Sequence, residues 1–406
     1  FGIKYPSMNN LVYGVQGVSF FASGGATYIG DEWITTATSH NSINNIFHDV
    51  SPSPRVLWKT TPVSAGSDVP QNRIAFLLAS DTTDLLNDIV ALHISGINFK
   101  DFDIEYWNGS TLATFASIQS SFGLNHGFLS TGKTIKQNPS NVIDENYYFY
   151  NELKGYIAML TSGETTEFFN VVSNSEGGFG NVTGKKASVL LDGEPTLSSG
   201  TVHFIPNQIT VLMKLDGLDS KSWSIKIPAQ KTIHNEFRIG MMLFGAVAIT
   251  GTQYSKGRRI TIEGGTITTT TPDKTVYSKN VAPEQRTVQI SWSDGVDQSS
   301  FYNADPDPDW FEASTAGAAE PVSVYEDAPF MMDGLMRELK ANETPLVYIP
   351  SINTEGSTQI INRRHEHLLS RLNSEITIDS ITGDELLGDG SGEVFRVSTI
   401  SLLEIV

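Results

Sequence analysis

The sequence predicts a mainly β protein with a smaller α+β region at its C-terminal end. Three observations point there. Short runs of alternating or β-branched apolar residues, bounded by Gly, Asn, Asp or Ser, recur along most of the 406 residues, which is the pattern of half-buried strands. Only 18% of the residues are charged while Ser, Thr, Asn and Gly are abundant; long surface helices would need more Lys, Glu and Ala. Helical spacing is confined to the region after residue 320.

Taken in order, 8–30 reads as an N-terminal arm rather than a core strand pair. Strands are then expected at 55–60, 73–79, 89–94, 102–106, 112–117, 147–153, 155–160, 168–172, 187–191, 210–215, 222–227 and 237–244. Others are expected at 259–262, 287–292, 346–349, 375–381 and 394–404. The clearest hairpin centres on Asn108-Gly109, a dipeptide that supplies the positive φ angles of a two-residue turn. The polar stretch 264–279, with four threonines at 268–271 followed by Pro272, reads as a strand edge or a linker to a second domain. Beyond it, Met332, Leu335, Met336 and Leu339 predict a helix over 328–341, and a second short helix is expected over 362–372. No internal repeat of fixed period is apparent.

Charge and composition exclude several classes. The net charge is −18, from 45 acidic and 27 basic residues, so clustered Lys and Arg for phosphate neutralisation are lacking and no nucleic-acid partner is expected. An anionic membrane surface would repel the chain, and the charge itself serves solubility. The chain has no cysteine, which removes disulfides, Cys-ligated zinc, iron–sulfur clusters and thiol catalysis. The longest apolar run, 239–249, is about half of a membrane span. The start at Phe1 shows no signal-peptide pattern, and because a native chain begins with Met, a few residues are expected to precede it.

Four motifs have chemical potential. Asp305-Pro-Asp307-Pro-Asp309-Trp310 places carboxylates at alternate positions, but an EF-hand loop wants Gly where Trp310 stands and Glu where Ala316 stands. It reads as a rigid, solvated acidic loop, and no metal site is expected. The Gly-rich run 384–393 reads as a hairpin turn between the last two strands. In Arg363-Arg364-His365-Glu366-His367 the histidines are two apart, which suits zinc on a strand but not on a helix; the arginines are expected to pair with acidic neighbours or a partner subunit. Residues 127–134 match the phosphate-cradling Gly-x-x-x-x-Gly-Lys-Thr pattern, yet no buried strand precedes them and Pro139 follows closely. That match reads as accidental. No Gly-x-Ser-x-Gly elbow or His-Glu-x-x-His motif occurs, so no cofactor and no catalysis are expected.

Aromatics next to turns are the best binding hint. Trp107 and Asn108 stand at a strand end beside Tyr106, and Trp310 follows the acidic loop. Aromatic faces stack on sugar rings while Asn and Asp hydrogen-bond hydroxyls. Trp107, Asn108 and Trp310 are therefore the candidate ligand-binding residues, with core or hairpin packing as the alternative role for Trp107.

Two stretches carry a family resemblance. The first contains Asn87-Asp-Ile-Val-Ala-Leu-His-Ile-Ser-Gly-Ile-Asn98 and then Phe102-Asp-Ile-Glu-Tyr-Trp-Asn-Gly109; the second contains Trp223-Ser-Ile-Lys-Ile227 and Phe237-Arg-Ile-Gly-Met-Met-Leu-Phe-Gly245. Together they resemble a discoidin-like (galactose-binding-like) jelly roll, in which a strand ending in Gly-x-Asn precedes a Trp-x-Gly hairpin and a late Arg-Ile-Gly strand closes the sheet. In a cysteine-free acidic chain this pattern also resembles distal tail or tail-tip proteins of long-tailed bacteriophages. The segments 282–292 and 395–406 add to that likeness.

The resemblance implies an interrupted jelly-roll β-sandwich followed by the α+β C-terminal domain. Its expected organisation is an arm at 1–30, a jelly roll at 31–270 with an insertion around 116–221, and a C-terminal assembly domain at 271–406. It implies a structural tail protein of the virion, assembled in the host cytoplasm as a homo-oligomer with other tail proteins and in contact with host-surface glycans. A free lectin-like module and a polysaccharide-degrading enzyme are the alternative readings.

Overall fold

The computed structural model describes residues 19–22, 27–29, 32–34, 57–77, 89–137, 147–178, 186–218, 220, 222–246, 258–270, 276–296, 346–350, 358–372, 377–382 and 393–404. Every regular element among them is a strand. The expected helix over 328–341 lies outside the described residues.

A two-sheet sandwich forms the centre. One sheet has the order β1 (Ser19–Ala22), β5 (Asn72–Leu77), β18 (Ser222–Ile227), β7 (Asp101–Trp107) and β8 (Leu112–Gln119). The other has the order β20 (Met241–Ala246), β6 (Ile89–Ser95), β17 (Gln208–Lys214) and β24 (Thr358–Ile361). Between them lie Ile74, Leu92, Ile94, Phe102, Ile104, Val211, Met213, Trp223 and Ile225, all buried. Burying such side chains contributes about 1.5–3 kcal/mol each. This is the interrupted jelly-roll sandwich expected from the sequence.

Two glycines hold its corner together. Gly96 has φ +69°, and a Cβ there would lie 2.7 Å from the backbone nitrogen of Gly240. The Gly240 N–H donates to the Ser95 carbonyl at 2.8 Å. Asn98 completes the joint: its side chain donates to the Glu236 carbonyl at 2.8 Å and accepts from the Arg238 N–H at 2.9 Å. The Gly-x-Asn and Arg-Ile-Gly motifs are thus two halves of one contact. Beside them β4 (Trp58–Lys59) pairs with β19 (Arg238–Ile239). A separate two-stranded sheet pairs β2 (Thr27–Ile29) with β3 (Glu32–Ile34).

The chain leaves the sandwich after β8 and returns at β17. In between it builds a closed barrel in the order β10 (Thr134–Gln137), β15 (Ser188–Leu191), β13 (Thr165–Asn174), β12 (Ile157–Ser162), β16 (Ser199–Ile205) and β9 (Phe122–Thr131). Period-2 alternation makes the barrel interior: Val189 and Leu191 are buried while Leu190 between them is exposed. Phe128, Ile135, Leu160, Val202 and Phe204 fill the same core. At its end a small pair, β11 (Tyr147–Tyr148) with β14 (Gly177–Gly178), adds Tyr148 to that core.

The C-terminal sheet has the order β21 (Arg258–Thr270), β22 (Val276–Val296), β27 (Glu393–Glu404), β25 (Leu368–Leu372) and β23 (Leu346–Tyr348), with β26 (Thr377–Thr382) pairing β27. Its residues cover the outer face of the second sandwich sheet, where Met241 and Leu243 pack with Val347 and Leu369. That cover explains why β6 is buried on both faces, from Val90 through Ser95.

Several expectations need correction. The segment expected as a helix over 362–372 is a turn at 363–366 followed by β25; its apolar residues Leu368 and Leu369 extend a sheet instead. The α+β character expected of 271–406 therefore has no helix among the described residues. Of the two readings of 264–279, the strand edge is the one observed: 264–270 end β21, an edge strand among the described residues, and 276–279 begin its partner β22. The expected strand 147–153 stops after Tyr148 and turns. The hairpin after β7 is shifted by one residue: Asn108 pairs with Thr111 through a 3.1 Å backbone bond, so Gly109 and Ser110 form the turn, with φ +92° at Gly109.

Candidate functional site

The polar residues of greatest structural consequence converge where the three β units meet. The turn after β24 carries Arg363, Arg364 and His365. The Tyr156 hydroxyl, at the barrel end, donates to the Asn362 carbonyl at 3.0 Å and accepts from the Arg364 N–H at 3.0 Å. Burial, and next the nearby Glu152 carboxylate, push the Tyr156 phenol up, so it stays protonated to donate. Glu152, almost fully buried in the barrel turn, lies 3.0 Å from His365 Nδ1 and 3.9 Å from Arg363. Arg363 also lies over the Tyr148 ring, 5.4 Å from its centroid.

The same turn reaches the C-terminal sheet. Arg286 of β22 donates through Nη2 to Glu404 at 2.6 Å and through Nη1 to the Arg364 carbonyl at 2.6 Å. Glu404 Oε2 also accepts the Arg286 N–H at 2.9 Å, and Arg364 approaches that same oxygen at 3.7 Å. The arginines thus pair with acidic neighbours, one of the two roles open to them from sequence.

The histidines of the motif part company. His365 is partly exposed, whereas His367 is buried against the sandwich. There Thr210 Oγ1 lies 2.8 Å from His93 Nδ1 and 3.1 Å from His367 Nδ1. Burial lowers the pKa of His93 to about 3. Burial lowers that of His367 as well, reinforced by His93, Arg286 and His365, with a backbone bond to Ile361 opposing. Both rings are therefore neutral. Among the described residues no group of three or more His, Cys, Asp or Glu could hold a metal ion.

One exposed cluster stands beside this junction. The turn after β11 presents Phe149 and Tyr150, 53% and 72% exposed. Phe149 meets Tyr147 and His365 edge to face, at centroid distances of 5.7 and 5.3 Å. The Tyr147 hydroxyl donates to Glu176 at 2.5 Å, and that hydrogen bond raises its pKa. The arrangement can stack on a flat apolar ligand surface and accept hydrogen bonds at its rim.

The residues expected from sequence lie elsewhere. Trp107 is half-buried at the end of β7, its carbonyl accepting from the Ser220 hydroxyl at 2.9 Å. Asn108 is exposed, but its side-chain oxygen accepts from the backbone of Ser110 and Thr111 and from the Ser110 hydroxyl. Asn108 thus organises its own turn. Trp310 and the acidic loop lie outside the described residues. The phosphate-loop match is the β9–β10 hairpin: Gly132 turns with φ +55°, Lys133 donates to the Asp192 carbonyl at 3.2 Å, and a strand follows where a helix would be needed. The aromatic cluster was signalled only by the run Tyr147-Tyr-Phe-Tyr150, which cannot all face inward on one strand.

No family model matches the sequence. No curated protein matches it either. Among solved structures, the chain is similar to the family 32 carbohydrate-binding module of C. perfringens NanJ, determined in complex with galactose. Identity is 8% and the TM-score 0.23, over 56% of this chain and 94% of that one. Among the described residues no helix is long and apolar enough to cross a membrane.

Proposed function

We propose that this chain is a structural component of a bacteriophage tail, at the distal tail or tail tip, that contacts host-surface glycans and catalyses no reaction. On this reading it is assembled in the host cytoplasm and carried in the virion as a homo-oligomer among other tail proteins. The observation that supports it is the brace at 362–367. One turn hydrogen-bonds the barrel through Tyr156, pairs with Glu404 of the C-terminal sheet through Arg364, and continues from a sandwich strand. Units tied in this way cannot swing independently, which suits a part that must hold its shape inside a particle. Among the described residues β21 and β24 also stand at the edges of their sheets, where a neighbour could add a strand.

The test is particle composition together with oligomeric state. The chain is expected in purified tailed particles by mass spectrometry, and as an oligomer by light scattering. A strict monomer that never enters particles would overturn the proposal. The exposed Phe149 and Tyr150 favour a second reading, a free lectin-like module; sugar binding by a chain absent from particles would establish it instead.

A further inference from the structure

We infer that Tyr147, Phe149 and Tyr150, with Glu176 and His365 at the rim, form a binding platform for a neutral hexopyranose. This rests on, and narrows, the glycan contact proposed above. Phe149 and Tyr150 are the aromatic members among the described exposed large apolar residues, whereas Trp58, Trp223, Phe99, Phe102, Phe128, Phe204 and Phe237 are fully buried. Two neighbouring rings left in water, while these described rings are fully buried, point to a contact surface.

Their exposure does not come from a loose loop. The buried side chain of Asn174 accepts from the Leu153 N–H at 2.8 Å and donates to the Phe149 carbonyl at 2.8 Å. The Asn174 carbonyl accepts from the Asn151 N–H at 3.1 Å, and Glu152 accepts the Phe149 N–H at 2.8 Å. Asn151 takes the left-handed conformation, φ +58°, that lets the chain reverse here. The backbone under both rings is thus held in place before any ligand arrives, and the edge-to-face contacts of Phe149 with Tyr147 and His365 orient its ring. A preorganised ring loses little entropy on binding.

The rim selects the ligand class. Glu176 is exposed and acts as an acceptor, which suits the hydroxyl donors of a sugar. Arg363 is turned inward onto Glu152 and Tyr148, so it is not presented to a ligand carboxylate or phosphate. With a net charge of −18 the whole chain repels anionic polymers. Two rings also match a pyranose face far better than a protein interface, which needs about 800 Å² per partner.

The experiment is a calorimetric titration of the full chain with neutral oligosaccharides of galactose, glucose and N-acetylglucosamine, with dextran sulfate as the anionic control. At least one neutral sugar is expected to bind. Tyr150→Ala and Phe149→Ala are each expected to weaken it at least tenfold, and Glu176→Gln several-fold, while Trp107→Ala leaves it unchanged. Tyr150 is so exposed that its variant keeps the fold, which thermal unfolding checks. The inference fails if no neutral sugar binds, if dextran sulfate binds more tightly, or if the Phe149→Ala/Tyr150→Ala double variant keeps full affinity. It also fails if that variant keeps sugar binding but drops out of particles, for then the turn is a protein contact. Absence of the unaltered chain from particles bears on the tail proposal alone.

Discussion

His93 and His367 meet edge to face in the buried layer between the sandwich and the C-terminal turn, with ring centroids 5.7 Å apart and planes at 80°. They share one hydroxyl, that of Thr210. Thr210 has a single proton to give. It donates to one Nδ1 and accepts from the Nδ1–H of the other, so the two imidazoles are held in opposite tautomers. Protonating the accepting ring removes its acceptor and places a charge where no water reaches.

Stability should therefore fall in mild acid. Unfolded histidines take up a proton near pH 6.5. In the folded protein His93 resists down to about 3, and His367 is held well below its usual value. Within that window the unfolded chain binds more protons, so stability is lost as pH falls, by about 1.4 kcal/mol per pH unit for each histidine. Urea unfolding between pH 7 and 4 measures the slope. Replacing His367 by Leu should remove about one proton from it; an unchanged slope would assign the effect to other groups, such as the less buried His203 and His234, whose pKa values burial also lowers.

Gly96→Ala should destabilise the sandwich by about 3 kcal/mol, from backbone strain at positive φ together with a clash against the Gly240 backbone. Gly109→Ala is the control. Its φ is +92° but nothing lies within 4 Å of an added Cβ, so the strain alone, about 1–2 kcal/mol, should remain. Equal losses in chemical denaturation would mean that the Gly96–Gly240 approach carries no energy.

Arg286→Met should cost about 3–5 kcal/mol, because it leaves the Glu404 carboxylate buried without its main partner. The effect should reach beyond its own sheet, since Arg286 also holds the Arg364 carbonyl. Hydrogen exchange at Tyr156 and Arg364 is the readout. Faster exchange at both is expected, and protection unchanged at both would show that the junction does not depend on this pair.

Asn108→Ala should cost about 1 kcal/mol through loss of the side-chain acceptor in the β7–β8 turn, with sugar titrations unaffected. A loss of sugar affinity with stability unchanged would return Asn108 to a ligand-binding role.

The strand content was legible in the sequence because period-2 burial writes itself into alternating residues, as in Asp101-Phe-Asp-Ile104. The Gly96-Ile-Asn98 and Arg238-Ile-Gly240 motifs were visible through the jelly-roll resemblance, and the structure supplied their reason, a close Gly96–Gly240 approach bridged by the Asn98 amide. The turn at 363–366 was misread as helix because short apolar spacing cannot separate a helix from a strand entered after a turn. Closure of the barrel, the Arg286–Glu404–Arg364 group and the His93–Thr210–His367 contact were decided by tertiary structure alone. Each joins residues far apart in sequence, and a long-range pair leaves no local pattern. The aromatic cluster lies between these cases. Its residues stand side by side in the chain, but whether Phe149 and Tyr150 face water or core depended on where Asn174 pinned the turn.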